Sequence, residues 1–277
     1  MRGSSQLDLT LLPGARALLS IHERELPQRD DLCGAFCGAL ALRAAGIERQ
    51  GAQELDQDTV ALAAGSVVSA LADPAGLPAG ELGRRDYRLE LPRVRDSAVC
   101  GTTAAGLVNA VQELAGGALA AIPYAGPWSA DTLAGCFELV GALDHPITLI
   151  ANLATRHLWG ARPRLEELLD YLLEGVQRGP PADWDVGHFA CVVGRVRGPA
   201  GSLYAIADTY PSLGSLGVHL QPQERLALAL QRPDMPPGGM ILIACAGDAP
   251  AVRSGAGALG LIEGLWDNGT VTVGRGK

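Results

Sequence analysis

The sequence predicts an α+β fold in which one central helix packs on an antiparallel sheet. The first half of the chain is dominated by helix-like apolar spacing, and the second half by short apolar runs separated by Gly and Pro turns. Helices followed by strands are typical of a segregated α+β domain and not of alternating βαβ units. Hydrophobic residues make up 48% of the chain and charged residues 19%, which is enough apolar material for a substantial core.

The 277 residues are expected to form one domain, 1–277. The chain shows no internal repeat. The glycine-rich run at 255–260 is not followed by Lys and Ser or Thr, so it does not predict a nucleotide-binding P-loop. We therefore expect no cofactor.

The central helix is predicted between Leu32 and about Ala45, and Gly46 closes it. Asp30 and Asp31 precede it, near the positive end of the helix dipole. The segment before it is mixed in character, with a short alternating run at 7–12 and a Pro-Gly turn.

Caps and apolar spacing define the remaining helices. Thr102 or Thr103 caps one helix, Ser129 caps the next, and Pro163 opens an acidic segment whose carboxylates are expected to face water. In chain order these predicted helices are 55–71, the helix that begins at 102 or 103, 129–143, 165–177 and 221–230.

Apolar runs of strand length predict the sheet, and the composition of residues 73–85 predicts a loop. The expected strands are a short one at 119–123 and the main sheet strands near 147–152, 188–196, 203–207 and 240–244.

The net charge and the cysteine content indicate which kinds of partner, and which cellular compartment, to expect. A net charge of −8 argues against nucleic acid, because phosphate binding requires a Lys and Arg surface. No signal-peptide pattern follows Met1 and no apolar run is long enough for a membrane span, so we expect a cytoplasmic protein without a membrane partner. Most of the six cysteines lie in apolar runs, and their spacing completes no metal-binding set, so no metal is predicted.

Cys33 is the predicted nucleophile. It lies in the first turn of the central helix, where the helix dipole and free backbone N–H groups favour a thiolate. Gly34 follows it and lets a substrate approach the backbone closely. Cys37 lies one turn further into the helix and is expected to be a small core residue.

Three further residues complete a predicted site. His188 follows Gly187 at the head of an apolar strand and is the predicted base, whereas the other four histidines are interpreted as surface or structural residues. Asp208 ends the next strand, and pairing of the two strands as a hairpin would place its carboxylate beside His188. Gln28 precedes the thiol in a polar loop and could donate an amide N–H to an oxyanion.

These motifs resemble those of the double-glycine-leader peptidases that process bacteriocin precursors, a branch of the papain-like cysteine peptidases. The resemblance rests on Gln28, the Cys33-Gly-x-x-Cys37 run, the Gly187-His188-Phe189 run and Asp208. It implies a papain-like fold, with Cys33 as nucleophile, His188 as base, Asp208 as its orienting partner and Gln28 as oxyanion donor. The long separation of Cys33 and His188 implies inserted helices at about 52–144 and 155–183.

A site of this kind forms an acyl-thioester on Cys33, and the acceptor that resolves the thioester decides the reaction. Resolution by water gives a cysteine peptidase or amidase, which is the function we expect. Resolution by an amine gives an acyl transferase or an amide-forming enzyme of the cyclase or transglutaminase kind. A non-catalytic peptide-binding member is the third alternative, and it predicts no thiol reactivity. The expected substrate is a flexible peptide or acyl-peptide segment, including one presented by a partner protein.

Overall fold

A computed structural model describes residues 7–271, which form a mixed α/β structure around one large antiparallel sheet. Within these residues the helices are α1 Ala15–Glu25, α2 Cys33–Ala44, α3 Gln57–Ala64, α4 Ala104–Leu114, α5 Ala130–Gly141, α6 Leu165–Glu174, α7 Gln223–Gln231 and α8 Ala249–Ala258. The strands are β1 Asp8–Leu11, β2 Arg49–Gln50, β3 Gln53–Glu54, β4 Val68–Ser69, β5 Arg93–Val94, β6 Leu119–Gly126, β7 Thr148–Ala154, β8 Gly187–Arg197, β9 Ser202–Ala207, β10 Val218–Pro222, β11 Gly239–Cys245 and β12 Ile262–Glu263.

The main sheet has eight strands in the described part of the chain, and the antiparallel sheet predicted from the sequence is confirmed. Its order is β10-β9-β8-β7-β11-β6-β12. Strand β1 pairs with the second half of β8, from Asp8 opposite Arg197 to Leu11 opposite Gly194, whereas β7 pairs with the first half. Two minor pairs, β2 with β3 and β4 with β5, lie outside this sheet.

One interior strand of the sheet comes from the last fifth of the described residues. β11 lies between β7 and β6, and its residues from Met240 to Ala244 have at most 2% of their surface exposed. A continuous apolar run of this kind is typical of a strand that is covered on both faces. Strand β6 lies within the segment 52–144 that was expected to be a helical insertion, so that segment also supplies part of the sheet.

Helix α2 is the buried helix of the structure and contacts α1, α3, α4 and strand β8. Every residue from Gly34 to Leu42 is buried. A Cβ atom built on Gly38 would lie 2.7 Å from Leu107 Cδ1, so the glycine allows α4 to approach closely. The close packing fixes the start of α2, where Cys33 lies, against the sheet.

Compared with the prediction from the sequence, the structure contains additional helices and strands, and some of the predicted helices are shorter. Helices α1 and α8, the short strands β2 to β5, and the strands β10 and β12 were not predicted. The helix expected at 55–71 ends at Ala64, because Gly65 adopts a left-handed conformation with φ of 66° and the chain then enters β4. The helix expected at 221–230 begins at Gln223, because the preceding residues pair with β9.

No helix in the part of the chain that the structure describes has both the length and the apolar character that a membrane crossing requires.

Candidate active site

Cys33 is the first residue of α2 and is half-buried. Leu32 in the N-cap position supplies no side-chain hydrogen bond, so the first-turn N–H groups of the helix are not capped by it. Just upstream, Asp31 adopts a left-handed conformation with φ of 65°, and its carboxylate accepts the Ser69 N–H at 2.7 Å. This turn holds the Cys33 thiol at the N-terminus of α2.

The pairing of β8 with β9 brings His188 and Asp208 together. The two strands run antiparallel with Cys191 opposite Ala207, so Asp208, directly after β9, lies beside the first residues of β8. The distance from His188 Nε2 to Asp208 Oδ1 is 2.9 Å, and both side chains are about 3% exposed. The hairpin expected from the sequence therefore forms this contact.

Asp208 receives further hydrogen bonds. The Thr209 N–H donates to Oδ1 at 2.7 Å, and His219 Nε2 lies 3.1 Å from Oδ2. The Gln221 side-chain amide donates to His219 Nδ1 at 3.0 Å, which places the histidine proton on Nε2 and makes that atom the donor to Asp208. The buried carboxylate thus has a donor on each oxygen, as buried charged groups require.

The charges of the pair stabilise each other. Burial alone would lower the pKa of His188, but the charge and hydrogen bond of Asp208, together with the Cys33 side chain, raise that pKa to about 10. Burial alone would raise the pKa of Asp208, but the charge and hydrogen bond of His188 and the hydrogen bond of His219 hold it well below its usual range. At neutral pH the site therefore contains an imidazolium and a carboxylate.

Cys33 and His188 line the same cleft, and the Cys33 side chain contributes to the raised pKa of the imidazole. Since Nε2 is bonded to Asp208, Nδ1 is the ring nitrogen available to the sulfur. Trp184 packs edge-on against the ring with centroids 4.9 Å apart, and Tyr210 stacks at 6.5 Å with an interplanar angle of 20°. These two aromatic residues, which the sequence analysis missed, fix the plane of the imidazole.

Gln28 lies in the same cleft as Cys33 and His188 and is 5% exposed. Its backbone N–H donates to the Thr209 carbonyl at 3.0 Å, which ties the segment before α2 to the chain after β9. Its side-chain Oε1 is buried and has no hydrogen-bond partner among residues 7–271. The predicted site residues Gln28, Cys33, His188 and Asp208 are thus brought to one place.

A cleft of about 500 Å³ opens beside these residues. One wall carries the carboxyl groups of Asp30, Asp31 and Asp73, and burial raises the pKa of the first two above the ordinary value. Arg232, from the end of α7, lines another part of the same cleft. The cleft beside the Cys33 thiol is therefore lined by carboxyl groups and by one guanidinium group.

Two histidines interpreted from the sequence as surface or structural residues lie inside this site. His219 supports Asp208, and His22 Nε2 contacts the Asp208 carbonyl oxygen; both rings are buried. The sequence contains one signal that could have indicated a role for His219. His219 and Gln221 are two positions apart, and alternate residues of a strand share a face, so the two polar side chains would lie side by side. That signal has meaning only once the strand β10 is known.

Cys37, the second cysteine of the motif, is fully buried in the core. Burial raises its pKa well above the ordinary value, and the neighbouring Cys191 adds to the effect. The thiol of Cys37 therefore has no access to substrate, in agreement with its interpretation as a core residue.

Outside the cleft, one group of side chains within residues 7–271 could hold a metal ion. Ligand atoms of His145, Cys245 and Asp248 lie within 4.8 Å of one another, and His145 Nδ1 is 3.0 Å from Asp248 Oδ2. None of the three lines the cleft that contains Cys33.

Residues 12–267 match a family described as "Family of unknown function (DUF6885)". No curated protein matches the chain.

Proposed function

We propose that this chain, which belongs to the DUF6885 family, is a cysteine-dependent peptidase or amidase with a papain-like fold. The reaction would cleave a peptide or amide bond through an acyl-thioester on Cys33. The papain-like assignment is supported by a buried helix that begins with the thiol and packs on an antiparallel sheet, whose strands supply the histidine and the acid.

The observation that carries the proposal is that His188 shares a cleft with Cys33 and is hydrogen-bonded to Asp208. A nucleophile beside a base that is itself oriented by a third group is the arrangement that covalent catalysis requires. The imidazolium form of His188 stabilises a neighbouring thiolate, and the buried carboxylate of Asp208 keeps the ring in the productive tautomer.

The steps follow from this arrangement. The Cys33 thiolate attacks the substrate carbonyl, and the oxyanion is stabilised by the Cys33 backbone N–H and the Gln28 side-chain amide. The imidazolium gives its proton to the leaving amine as the carbon–nitrogen bond breaks. Neutral His188 then takes a proton from water, whose oxygen attacks the thioester. The carbon–sulfur bond breaks to release the acid product and the Cys33 thiolate, and the proton stays on His188, which restores the starting ion pair.

The cleft also supports a substrate class. Its volume of about 500 Å³ falls in the range of sites that hold several residues or a small molecule, and it reaches the thiol from the surface. We propose a flexible peptide or acyl-peptide segment, alone or presented by a partner protein. All six cysteines are unpaired thiols, which supports a reducing, cytoplasmic setting.

Alkylation with iodoacetamide, mapped by peptide mass spectrometry, tests the nucleophile. We expect Cys33 to react at least about ten-fold faster than Cys100, which is also partly exposed but whose pKa is raised to about 12 by burial and nearby carboxylates. The rate at Cys33 should fall in His188→Gln. Equal rates at Cys33 and Cys100 in the wild type would rule out an activated thiol.

Intact-mass spectrometry of candidate peptides and partner proteins, incubated with wild type and Cys33→Ala, tests the reaction. Loss of mass from the partner that requires Cys33 supports hydrolysis. A gain of mass would instead indicate acyl transfer, and a tight complex without a mass change would indicate a peptide-binding protein.

A further inference from the structure

Arg232 lines the same cleft as Cys33, although it comes from a distant part of the chain. It follows the last residue of α7 in a left-handed conformation, with φ of 49°, and is 4% exposed. Its side chain lies over Gly187, the residue before His188: a Cβ atom at Gly187 would come within 2.6 Å of Arg232 Nη2. The glycine therefore makes room for the guanidinium beside the imidazole.

The guanidinium has too few partners for a buried cation. Nη1 donates to the Asn152 side-chain oxygen, which also accepts the Trp266 indole N–H at 3.1 Å. Nε is buried without a hydrogen-bond partner, and no carboxylate within residues 7–271 forms an ion pair with Arg232. Burial lowers the pKa of Arg232 to about 10 against an opposing contribution from the nearby Cys33 side chain, so Arg232 remains a cation at neutral pH.

A purely structural role does not account for these features. A neutral side chain with one N–H group could donate the same hydrogen bond to Asn152. An arginine at this position instead buries a charge, and burying a charge without a counter-ion generally costs several kcal/mol. The left-handed position after a helix is most easily occupied by glycine, so the backbone there gains nothing from an arginine. A cation that lines the cleft and forms no ion pair with any carboxylate of residues 7–271 is suited to an anion brought by the substrate.

We infer that Arg232 binds a carboxylate of the substrate, close to the carbonyl that Cys33 attacks. This inference rests on the proposed function. It defines the substrate class as a peptide or acyl amino acid with a carboxylate near the cleaved bond, supplied by a free C-terminus or by an acidic side chain.

The test compares two alkylating agents that react through the same iodomethylene carbon but differ in the charge of the group attached to it. Iodoacetate carries a carboxylate and iodoacetamide does not, and the ratio of their rates at Cys33 reports a cation beside the sulfur. We expect this ratio to fall at least about ten-fold in Arg232→Gln, as the loss of one charge-assisted hydrogen bond predicts. Arg253→Gln, which removes an exposed arginine paired with Glu263, should leave the ratio unchanged.

The outcomes separate the two proposals. If Cys33 reacts with iodoacetamide and the ratio is the same in wild type and Arg232→Gln, the carboxylate site is refuted and the activated thiol stands. If Cys33 reacts with neither agent, the proposed function fails and this inference fails with it.

A second measurement uses only the wild type, so it holds even where Arg232→Gln does not fold. N-acetylglycine should protect Cys33 from iodoacetamide at concentrations where N-acetylglycinamide does not. Acetyl-aspartate α-amide, which carries only a side-chain carboxylate, distinguishes an acidic side chain from a free C-terminus. Equal protection by the acids and the neutral amide, or none by any of them, overturns the inference.

Discussion

Asp208 is a single carboxylate that connects three histidines of the site. Its side chain accepts hydrogen bonds from His188 and His219, and its backbone carbonyl contacts His22. His188 acts on the thiol, whereas His219 acts only through Asp208, so His219 is a positioning residue. The distinction leads to different expectations for the two histidines.

Removing His219 should destabilise the protein and leave Cys33 reactive. In His219→Ala, Asp208 Oδ2 loses its donor in a buried position, which costs about 1–3 kcal/mol of unfolding free energy. The control His145→Ala removes an exposed ring and should change stability by less than about 0.5 kcal/mol. Urea denaturation and iodoacetamide rates measure both properties. Loss of alkylation with unchanged stability would contradict the role assigned to His219.

The pair His188–Asp208 should make stability depend on pH in the alkaline range. The pKa of His188 is raised from 6.5 in a free side chain to about 10 in the folded protein. The folded state therefore binds one more proton than the unfolded state between these values, and the stabilisation, complete below pH 6.5, is lost as pH rises toward 10.

Denaturant titrations across this pH range, in wild type and His188→Gln, check that expectation. The difference in unfolding free energy between the two proteins should shrink steadily as the pH is raised. A difference that stays constant would show that His188 is not protonated in the folded state. The pKa of Asp208 is depressed, so its own contribution persists throughout this range and is lost only in acid.

At the scale of the element, α2 depends on glycines to reach its position. A Cβ atom at Gly38 would meet Leu107 Cδ1 at 2.7 Å and Val60 Cγ1 at 2.9 Å. Gly38→Ala should therefore lower the unfolding free energy by about 1–3 kcal/mol, although alanine favours helix formation.

Gly257→Ala in α8 is the matched control for that substitution. It is exposed and no atom lies within 4 Å of a Cβ built there, so alanine should stabilise the protein by about 0.5–1 kcal/mol. Thermal or urea denaturation gives both values. If the two substitutions have effects of the same sign, the packing of α2 on α4 is looser than described.

At the scale of the whole molecule, β11 is an interior strand that joins the two halves of the sheet. This strand pairs with β7 on one side and β6 on the other, and its side chains are buried on both faces. The strands that carry the site lie toward one end of the sheet, in the order β7, β8, β9 and β10. The position of His188 therefore depends on pairings between segments that are far apart in the chain.

Hydrogen exchange should reflect this architecture. Backbone amides of β7, β8 and β11 should exchange most slowly, at the rate of global unfolding, because they are buried and paired on both sides. Amides of the exposed two-residue pair β2 and β3 should exchange fastest and serve as an internal reference. Fast exchange in β11 would contradict its interior place in the sheet.

The local features of this protein were determined by the sequence itself. The start of α2 at Cys33, the Thr103 and Ser129 caps and the apolar strands around 189–193 and 240–244 all follow from short-range patterns. These patterns are readable because capping, periodicity and apolar runs act between residues a few positions apart. They also suggested that Cys33, His188 and Asp208 belong together, through the expected hairpin of β8 and β9.

The tertiary structure alone decided the rest of the site. Helix α1 is amphipathic and places His22, strand β10 places His219, and the left-handed end of α7 places Arg232 beside Gly187. None of these residues is marked by its neighbours in the chain, because each gains its role from a contact with a distant segment. Burial then shifts the pKa values of His188 and Arg232, and these shifts depend on which distant segments exclude water from the same place.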